Sequence, residues 1–123
     1  MQGFEEAFKA YGADYRATMN RFVNNEGLYL KLLNMMFQDG SLQKLGAALD
    51  TGDLTAAFEA AHTLKGVVGN MGLTPLYNAV CVLVEPLRAR ADRGDYGVLY
   101  QAVCDEFKKA ESFRDCLEKE GAT

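Results

Sequence analysis

The apolar residues of this chain recur at spacings of three and four, and no segment shows sustained alternation of apolar and polar positions. Spacings of three and four place apolar side chains on one face of an α-helix, whereas alternation is typical of a half-buried β-strand. Two short segments open the chain with Phe4, Phe8 and Tyr11, then Tyr15, Met19 and Phe22. The pattern predicts an all-α protein throughout.

Helix ends are predicted from residues that satisfy unpaired backbone groups. Asn25 and Asp53 each precede an apolar stripe, and a side-chain oxygen there accepts a hydrogen bond from the first turn. Thr74 is predicted to cap a later helix, with Pro75 at its first position, where the missing N–H costs nothing. A helix is also expected to begin near Asp14, and breaks are predicted at residues 39–40, 50–52, 72 and 93–95.

The later segments each carry one stripe that is expected to face the core. These stripes are Leu28, Leu32 and Met35 or Met36; Leu42, Leu45 and Leu49; Leu54, Ala57, Ala61, Leu64 and Val68; Leu76, Val80, Leu83 and Leu87; and Tyr96, Leu99, Val103, Phe107, Ala110, Phe113 and Leu117. Pro86 predicts a kink rather than an end, because the apolar period continues to Leu87. Arg114 and Glu118 are spaced for an ion pair.

Four long helices joined by short turns predict an antiparallel up-and-down four-helix bundle, with the short N-terminal segments packed across one end. The chain has 123 residues, of which 49% are hydrophobic. This length and composition suit one globular domain over residues 1–123, and the sequence contains neither an internal repeat nor a long linker.

Charge and hydropathy narrow the classes of partner. A formal net charge of −4 lacks the basic footprint that nucleic acid or an anionic membrane surface requires. No run of about 18 apolar residues is present, and the N-terminus carries acidic residues where a signal peptide would carry basic ones. We therefore expect a cytoplasmic protein whose partners are proteins.

Few residues are available for metal or acid–base chemistry. Cys81, Cys104 and Cys116 show no CxxC spacing and are expected to be reduced thiols without a disulfide or a zinc site. His62 is the one histidine of the chain. A Ser-His-Asp triad would have to recruit either Ser41 or Ser112, so hydrolytic and metal-dependent catalysis are both disfavoured.

His62 lies on a helix with an unusual outer face. At roughly 100° per residue it points about 135° away from the predicted apolar stripe, so it should face solvent. Gly66 and Gly69 follow it on this face, although a glycine inside a helix costs about 1 kcal/mol relative to alanine. The glycines clear the helix surface, so that another macromolecule can come close to the imidazole.

A bare histidine of this kind is suited to phosphoryl transfer. A neutral imidazole nitrogen is nucleophilic, and forming a phosphoramidate needs only that nitrogen, an in-line donor and neutralisation of charge. Lys65, one turn after His62, can reach a phosphoryl group on the ring.

The segment from His62 to Leu73 resembles the signature of the histidine-containing phosphotransfer (HPt) domain. That signature is a helix reading His-x-x-Lys-Gly, with glycines at about the seventh and tenth positions after the histidine. The matching residues are His62, Lys65, Gly66, Gly69 and Gly72. Residues 27–33, 37–39 and 51–53 are similar to the preceding helix and turn of the family, so the resemblance covers nearly the whole chain.

The resemblance implies a carrier function. In the family the histidine accepts a phosphoryl group from a receiver aspartate, or from a kinase, and passes it to the aspartate of another receiver. By this resemblance His62 is the phosphoacceptor, Lys65 stabilises the phosphate and Gly66 keeps the docking surface open. The candidate docking residues are Phe58, Glu59 and Gly69.

The expected partners follow from the same resemblance. They are response-regulator receiver domains and a hybrid histidine kinase, with this chain acting as a monomeric carrier rather than a stand-alone kinase. No cofactor is expected on this chain, because the receiver supplies Mg²⁺. The family often places Glu or Gln late in the next helix, whereas here Glu85 stands between Val84 and Pro86.

Three alternatives remain open. A docking module would leave His62 unphosphorylated. A histidine kinase phosphoacceptor domain would normally have an acidic residue after the histidine, whereas Thr63 stands here, and no nucleotide-binding motif is present. A haem or metal bundle would need an inward histidine.

Overall fold

The computed structural model describes residues 3–121, which form helices joined by short turns. The helices are α1 Phe4–Tyr11, α2 Tyr15–Arg21, α3 Glu26–Phe37, α4 Ser41–Thr51, α5 Leu54–Asn70, α6 Thr74–Arg88 and α7 Tyr96–Gly121. No β-strand occurs within these residues, and the all-α prediction is confirmed.

The start of three helices follows from side-chain capping. Asp14, Asn25 and Asp53 each accept a hydrogen bond from the amide three residues further on, at 2.9–3.0 Å. These bonds satisfy amides that have no partner within the helix. The predicted caps at Asn25 and Asp53 are confirmed.

The predicted cap at Thr74 is wrong by one residue. Leu73 is the N-cap of α6, and Thr74 is already helical. Proline is tolerated anywhere in the first turn, because the amides of that turn have no helical acceptor. Pro75 therefore located the start of α6 only approximately. The side chain of Leu73, which is fully buried, fixes the boundary through packing.

The predicted stripe of α3 is wrong at Leu28 and Met35, whereas Met36, the alternative to Met35, is buried as predicted. The buried residues are Tyr29, Leu33 and Met36, whereas Leu28 is 38% exposed and Met35 is 56% exposed. Leu32 is half-buried. Two parallel stripes of helical spacing run along α3. The stripe that contains Tyr29 packs into the core. The Tyr29 hydroxyl donates a hydrogen bond to the carbonyl of Met71 at 2.7 Å.

The helices pack in an order that places α5 centrally. The contacts of α5 with α4 and with α6 are the most extensive, α6 packs on α7, and α7 also contacts α4, α3 and α1. Phe8 of α1 packs against the rings of Tyr29 and Phe113, with centroids 5.4 Å and 4.9 Å apart. The first helix is thus joined to both α3 and α7.

Several local predictions agree with the structure. Residues of α6 remain helical through Pro86 to Arg88, and the four predicted stripe residues of this helix are fully buried. Arg114 forms the expected ion pair with Glu118, at 3.3 Å. Within residues 3–121 no helix combines the length and apolar character that crossing a lipid bilayer requires.

Candidate functional site

Helix α5 presents His62 to solvent. Ala57, Ala61, Leu64 and Val68 of this helix are buried, and His62 lies on the opposite side with its side chain exposed. A helix turns by about 100° per residue, so burial of this stripe carries His62 outward. The orientation predicted from the sequence is confirmed.

The glycines that follow His62 have different surroundings. A Cβ atom at Gly66 would meet nothing within 4 Å, so the surface one turn beyond His62 is open. A Cβ atom at Gly69 would lie 2.9 Å from Cε1 of Tyr77. Gly69 therefore allows close packing of α5 on α6. Its predicted docking role remains a prediction.

The C-terminal end of α5 is fixed by groups from other helices. Arg21 of α2 donates hydrogen bonds to the carbonyls of Gly69 and Asn70, both at 3.0 Å. Gly72 has a left-handed backbone, with φ of 71°, and a Cβ atom there would collide with Thr18 of α2. Helix α2 is thereby held against the surface that carries His62.

An open groove of about 630 Å³ adjoins His62 between α2, α5 and α6. Its lining includes Arg21, Lys65, Gly66 and Tyr77. Lys65 is half-buried, and no carboxylate within residues 3–120 lies at ion-pair distance from it. Among the residues that the structure describes, Asp14 is the one carboxylate that lines the groove. The groove thus has more positive than negative side chains, in a chain whose net charge is −4.

On its other side His62 contacts an aromatic ring. The rings of Phe58 and His62 are stacked, with centroids 5.5 Å apart and an interplanar angle of 25°. The guanidinium carbons of Arg88 and Arg90 lie 5.3 Å and 4.7 Å from the centroid of Phe58. Phe58 is half-buried and is therefore engaged mainly by its own chain.

The remaining acidic candidates lie on the surface. Glu59 is exposed on α5. Glu85 is exposed on α6 and pairs with Arg88 at 3.6 Å. Thr74 and Tyr77, rather than Glu85, are the polar residues of α6 that line the groove beside His62. Interaction with the Cys81 thiol raises the pKa of Tyr77 above its usual value.

No group that could bind a metal ion accompanies these residues in the part of the chain that the structure describes: no three His, Cys, Asp or Glu side chains converge there. Cys81, Cys104 and Cys116 are free thiols. The chemistry that the site itself offers is an exposed imidazole nucleophile between cationic side chains.

Sequence reasoning missed Arg21, Tyr77, Arg88 and Arg90. Each belongs to another helix or its end, so no spacing relative to His62 indicates it. The one available signal is the helix-breaking pair Gly72 and Pro75, which turns α6 back along α5.

An exposed histidine on a helix of an all-α fold, with a cleared surface beside it, is the arrangement that a phosphotransfer module needs. A scan against protein families matches residues 31–117 to the Hpt domain. The chain belongs to the Hpt domain family. Membership implies histidine phosphotransfer in phosphorelays, with receiver domains and kinases as the kinds of partner. No curated protein and no solved structure shows significant similarity to the chain.

Proposed function

We propose that this chain is a phosphocarrier of a multistep phosphorelay, which accepts a phosphoryl group on His62 from a receiver aspartate or a kinase and passes it to a second receiver aspartate. The observation that carries the proposal is the exposed imidazole beside the open surface at Gly66, within the segment that matches the Hpt family. The chain is one domain in this proposal, and it works in the cytoplasm as a monomer.

The transfer is a displacement at phosphorus. A lone pair on one imidazole nitrogen attacks, and the P–N bond forms as the P–O bond to the aspartyl carboxylate breaks. The carboxylate leaves with the bonding electron pair, and the proton on the second imidazole nitrogen remains there. The reverse displacement delivers the phosphoryl group to the next receiver.

Lys65 stabilises the phosphorylated state in this mechanism. A phosphorylated imidazole carries negative oxygens, and the ammonium group of Lys65 is one turn further along α5. Because no carboxylate pairs with Lys65 among the described residues, its charge is available to the phosphoryl oxygens. Mg²⁺ belongs to the receiver, which supplies most of the transition-state charge stabilisation.

The surface around His62 is the proposed docking face for receivers. Gly66 leaves room for loops of the partner, while Phe58, Glu59 and Gly69 border the same surface. We further propose that α4, α5, α6 and α7 form the up-and-down bundle predicted from the sequence. The support for it is that each of these helices packs on the next and α7 also contacts α4.

The deciding experiment mixes the protein with phosphorylated receivers and looks for acid-labile, base-stable phosphate. We expect labelling of the wild-type chain and none of His62→Gln. An exposed substitution of this kind changes the free energy of unfolding by no more than about 0.5 kcal/mol, so His62→Gln should keep its thermal stability. An unlabelled wild-type chain contradicts the proposal and leaves a docking module, whereas labelling of His62→Gln contradicts it by showing that another residue accepts the phosphate.

Two further samples belong to the same experiment. Lys65→Ala should slow transfer or shorten the lifetime of the phosphohistidine, and wild-type values for both would remove Lys65 from the site. Incubation of the wild-type chain with labelled ATP alone should leave it unlabelled. Label acquired from ATP would indicate a kinase instead of a carrier.

A further inference from the structure

We propose that Phe58 and Arg90 are positioning residues for His62: the phenyl ring orients the imidazole, and the guanidinium group fixes the phenyl ring. This inference rests on the proposed function, because it concerns how the reactive ring is presented. It gives Phe58 a role within the site in addition to its place at the border of the proposed docking face.

The ring contact limits the orientations of the imidazole. Phe58 precedes His62 by four residues on α5, which places the two side chains next to each other on one face. Their centroids are 5.5 Å apart and their planes differ by 25°. An exposed histidine with no such neighbour samples several rotamers, and most of these direct neither ring nitrogen along a given line of attack.

Arg90 is itself held firmly over Phe58. Its guanidinium carbon lies 4.7 Å from the ring centroid. Its Nε donates a hydrogen bond to Oγ1 of Thr55 at 3.2 Å, which joins the end of α6 to α5. A terminal nitrogen of the same group donates to the carbonyls of Leu87 and Arg88, at 2.9 Å and 3.1 Å. These bonds fix the guanidinium plane, so Phe58 packs on a fixed surface.

The backbone at Arg90 is left-handed, a conformation that Val23 and Asn24 also adopt after α2. Helices α1, α4 and α5 end at left-handed glycines, with φ of 99° at Gly12, 75° at Gly52 and 71° at Gly72. Helix α6 ends in the same kind of turn, but the left-handed position is Arg90, with φ of 53°. Glycine adopts this conformation without steric penalty, whereas arginine does not. Strain of this kind tends to occur at functional sites.

The same arrangement places positive charge near the reacting ring. Arg88 also approaches Phe58, but it pairs with Glu85, whereas Arg90 has no carboxylate within ion-pair distance among the described residues. The guanidinium carbon of Arg90 and the imidazole centroid lie 4.7 Å and 5.5 Å from the centroid of Phe58. Arg90 therefore contributes a positive charge without a described carboxylate partner next to the ring that packs on His62.

The test compares five proteins: wild type, Phe58→Leu, Phe58→Tyr, Arg90→Gly and the control Phe37→Leu. Phe37 is a matched control, because it is half-buried and has Arg114 at 4.9 Å from its centroid, but it packs on α7. Each protein is phosphorylated by a receiver and, separately, by phosphoramidate, whose P–N bond breaks as ammonia leaves. The small donor needs no docking surface, so it reports the presentation of the imidazole alone.

We expect Phe58→Leu and Arg90→Gly to slow labelling by both donors about 10-fold, within the ~100-fold that a misplaced reacting group can cause. Phe58→Tyr should restore the rate, and Phe37→Leu should leave it unchanged. Arg90→Gly should unfold within about 4 °C of wild type, because glycine relieves the backbone strain. Since His62 is the one histidine, its imidazole proton signals can be followed by NMR, and Phe58→Leu should remove their ring-current shift.

The outcomes separate this inference from the proposed function. A wild-type chain that neither donor labels would overturn both. Normal labelling of the wild type, together with a normal phosphoramidate rate in Phe58→Leu, would overturn positioning alone. If Phe58→Leu then slowed labelling by the receiver but not labelling by phosphoramidate, Phe58 would act as a docking residue only.

Discussion

Two glycines one turn apart on α5 show how differently the same residue type can act. The sequence treats Gly66 and Gly69 alike, since both lie on the face of His62. In the structure the space beside Gly66 is empty, whereas Gly69 is covered by the ring of Tyr77. Only Gly66 therefore needs a functional explanation for its cost within a helix.

This difference leads to opposite expectations for alanine. Gly66→Ala should stabilise the protein by up to about 1 kcal/mol, because alanine restricts the unfolded chain and meets no neighbour. Gly69→Ala should destabilise it by about 1–3 kcal/mol, because Tyr77 must move. Thermal unfolding of the two variants checks both signs.

The variant that should gain stability, Gly66→Ala, should lose function. Gly66→Ala should slow labelling by a receiver, whose loops must approach His62, and leave labelling by phosphoramidate unchanged. Equal receiver rates in wild type and Gly66→Ala would show that this surface is not where the partner docks.

At the residue scale, the sequence correctly predicted those features that depend on a single helix. The exposure of His62 follows from the turn angle of α5 and its buried stripe. The stacking of Phe58 on His62 does not follow from the sequence, because a spacing of four residues places two side chains next to each other without determining their rotamers. Arg90 could not be found, since its approach to Phe58 depends on how α6 crosses α5.

At the element scale, α2 is the helix most in need of an anchor. It has seven residues, too few for a helix to be stable alone. Arg21 at its end donates to the carbonyls of Gly69 and Asn70, and Thr18 packs against Gly72. One side chain thus bonds two carbonyls at the end of α5, of which the carbonyl of Gly69 also accepts a hydrogen bond from the amide of Gly72.

We expect Arg21→Gln to loosen α2 specifically. A shorter, neutral side chain loses both hydrogen bonds, which lowers the free energy of unfolding by roughly 1 kcal/mol at an exposed site. Amide hydrogen exchange should accelerate in α2 more than in α7, because local opening precedes global unfolding. Arg16→Gln is the matched control, since Arg16 is exposed on the same helix. Equal exchange rates in the two variants would show that α2 is held by its apolar contacts alone.

The sequence predicted the starts of two helices better than the buried face of α3. Asn25 and Asp53 cap their helices as predicted, because capping is a local interaction within four residues. The buried face of α3 was not predictable, because two stripes of equal spacing compete on that helix. The choice is made by Tyr29, whose hydroxyl reaches Met71 only in the folded protein.

At the scale of the whole molecule, charge is distributed unevenly. The chain is acidic overall, but Arg21, Lys65, Arg88 and Arg90 surround His62 from three helices and a helix end. A cationic region on an acidic protein attracts negatively charged groups. The amino-acid composition gives no indication of this uneven distribution, because it reports only the net charge.

The tyrosines provide a second property of the whole molecule. The pKa is raised above its usual value of 10 at each of them: Tyr11, Tyr15, Tyr29, Tyr77, Tyr96 and Tyr100. Burial is the main cause at most of them and raises the pKa of Tyr100 to about 12. At Tyr15 a 2.6 Å hydrogen bond to the Glu26 carboxylate raises the pKa to about 12. The folded protein therefore holds phenol protons that the unfolded chain releases near pH 10.

A group whose pKa is raised by folding stabilises the fold fully below its unfolded pKa, and this contribution is lost as the pH rises through the folded value. We therefore expect the free energy of unfolding to fall between pH 10 and pH 12. Tyrosinate absorbance and helical circular dichroism should change together in one steep transition. Tyr15→Phe should make the pH dependence shallower, because one fewer proton is then linked to unfolding. Six phenols that ionise near pH 10 while the helices remain intact would show that burial in this fold does not protect them.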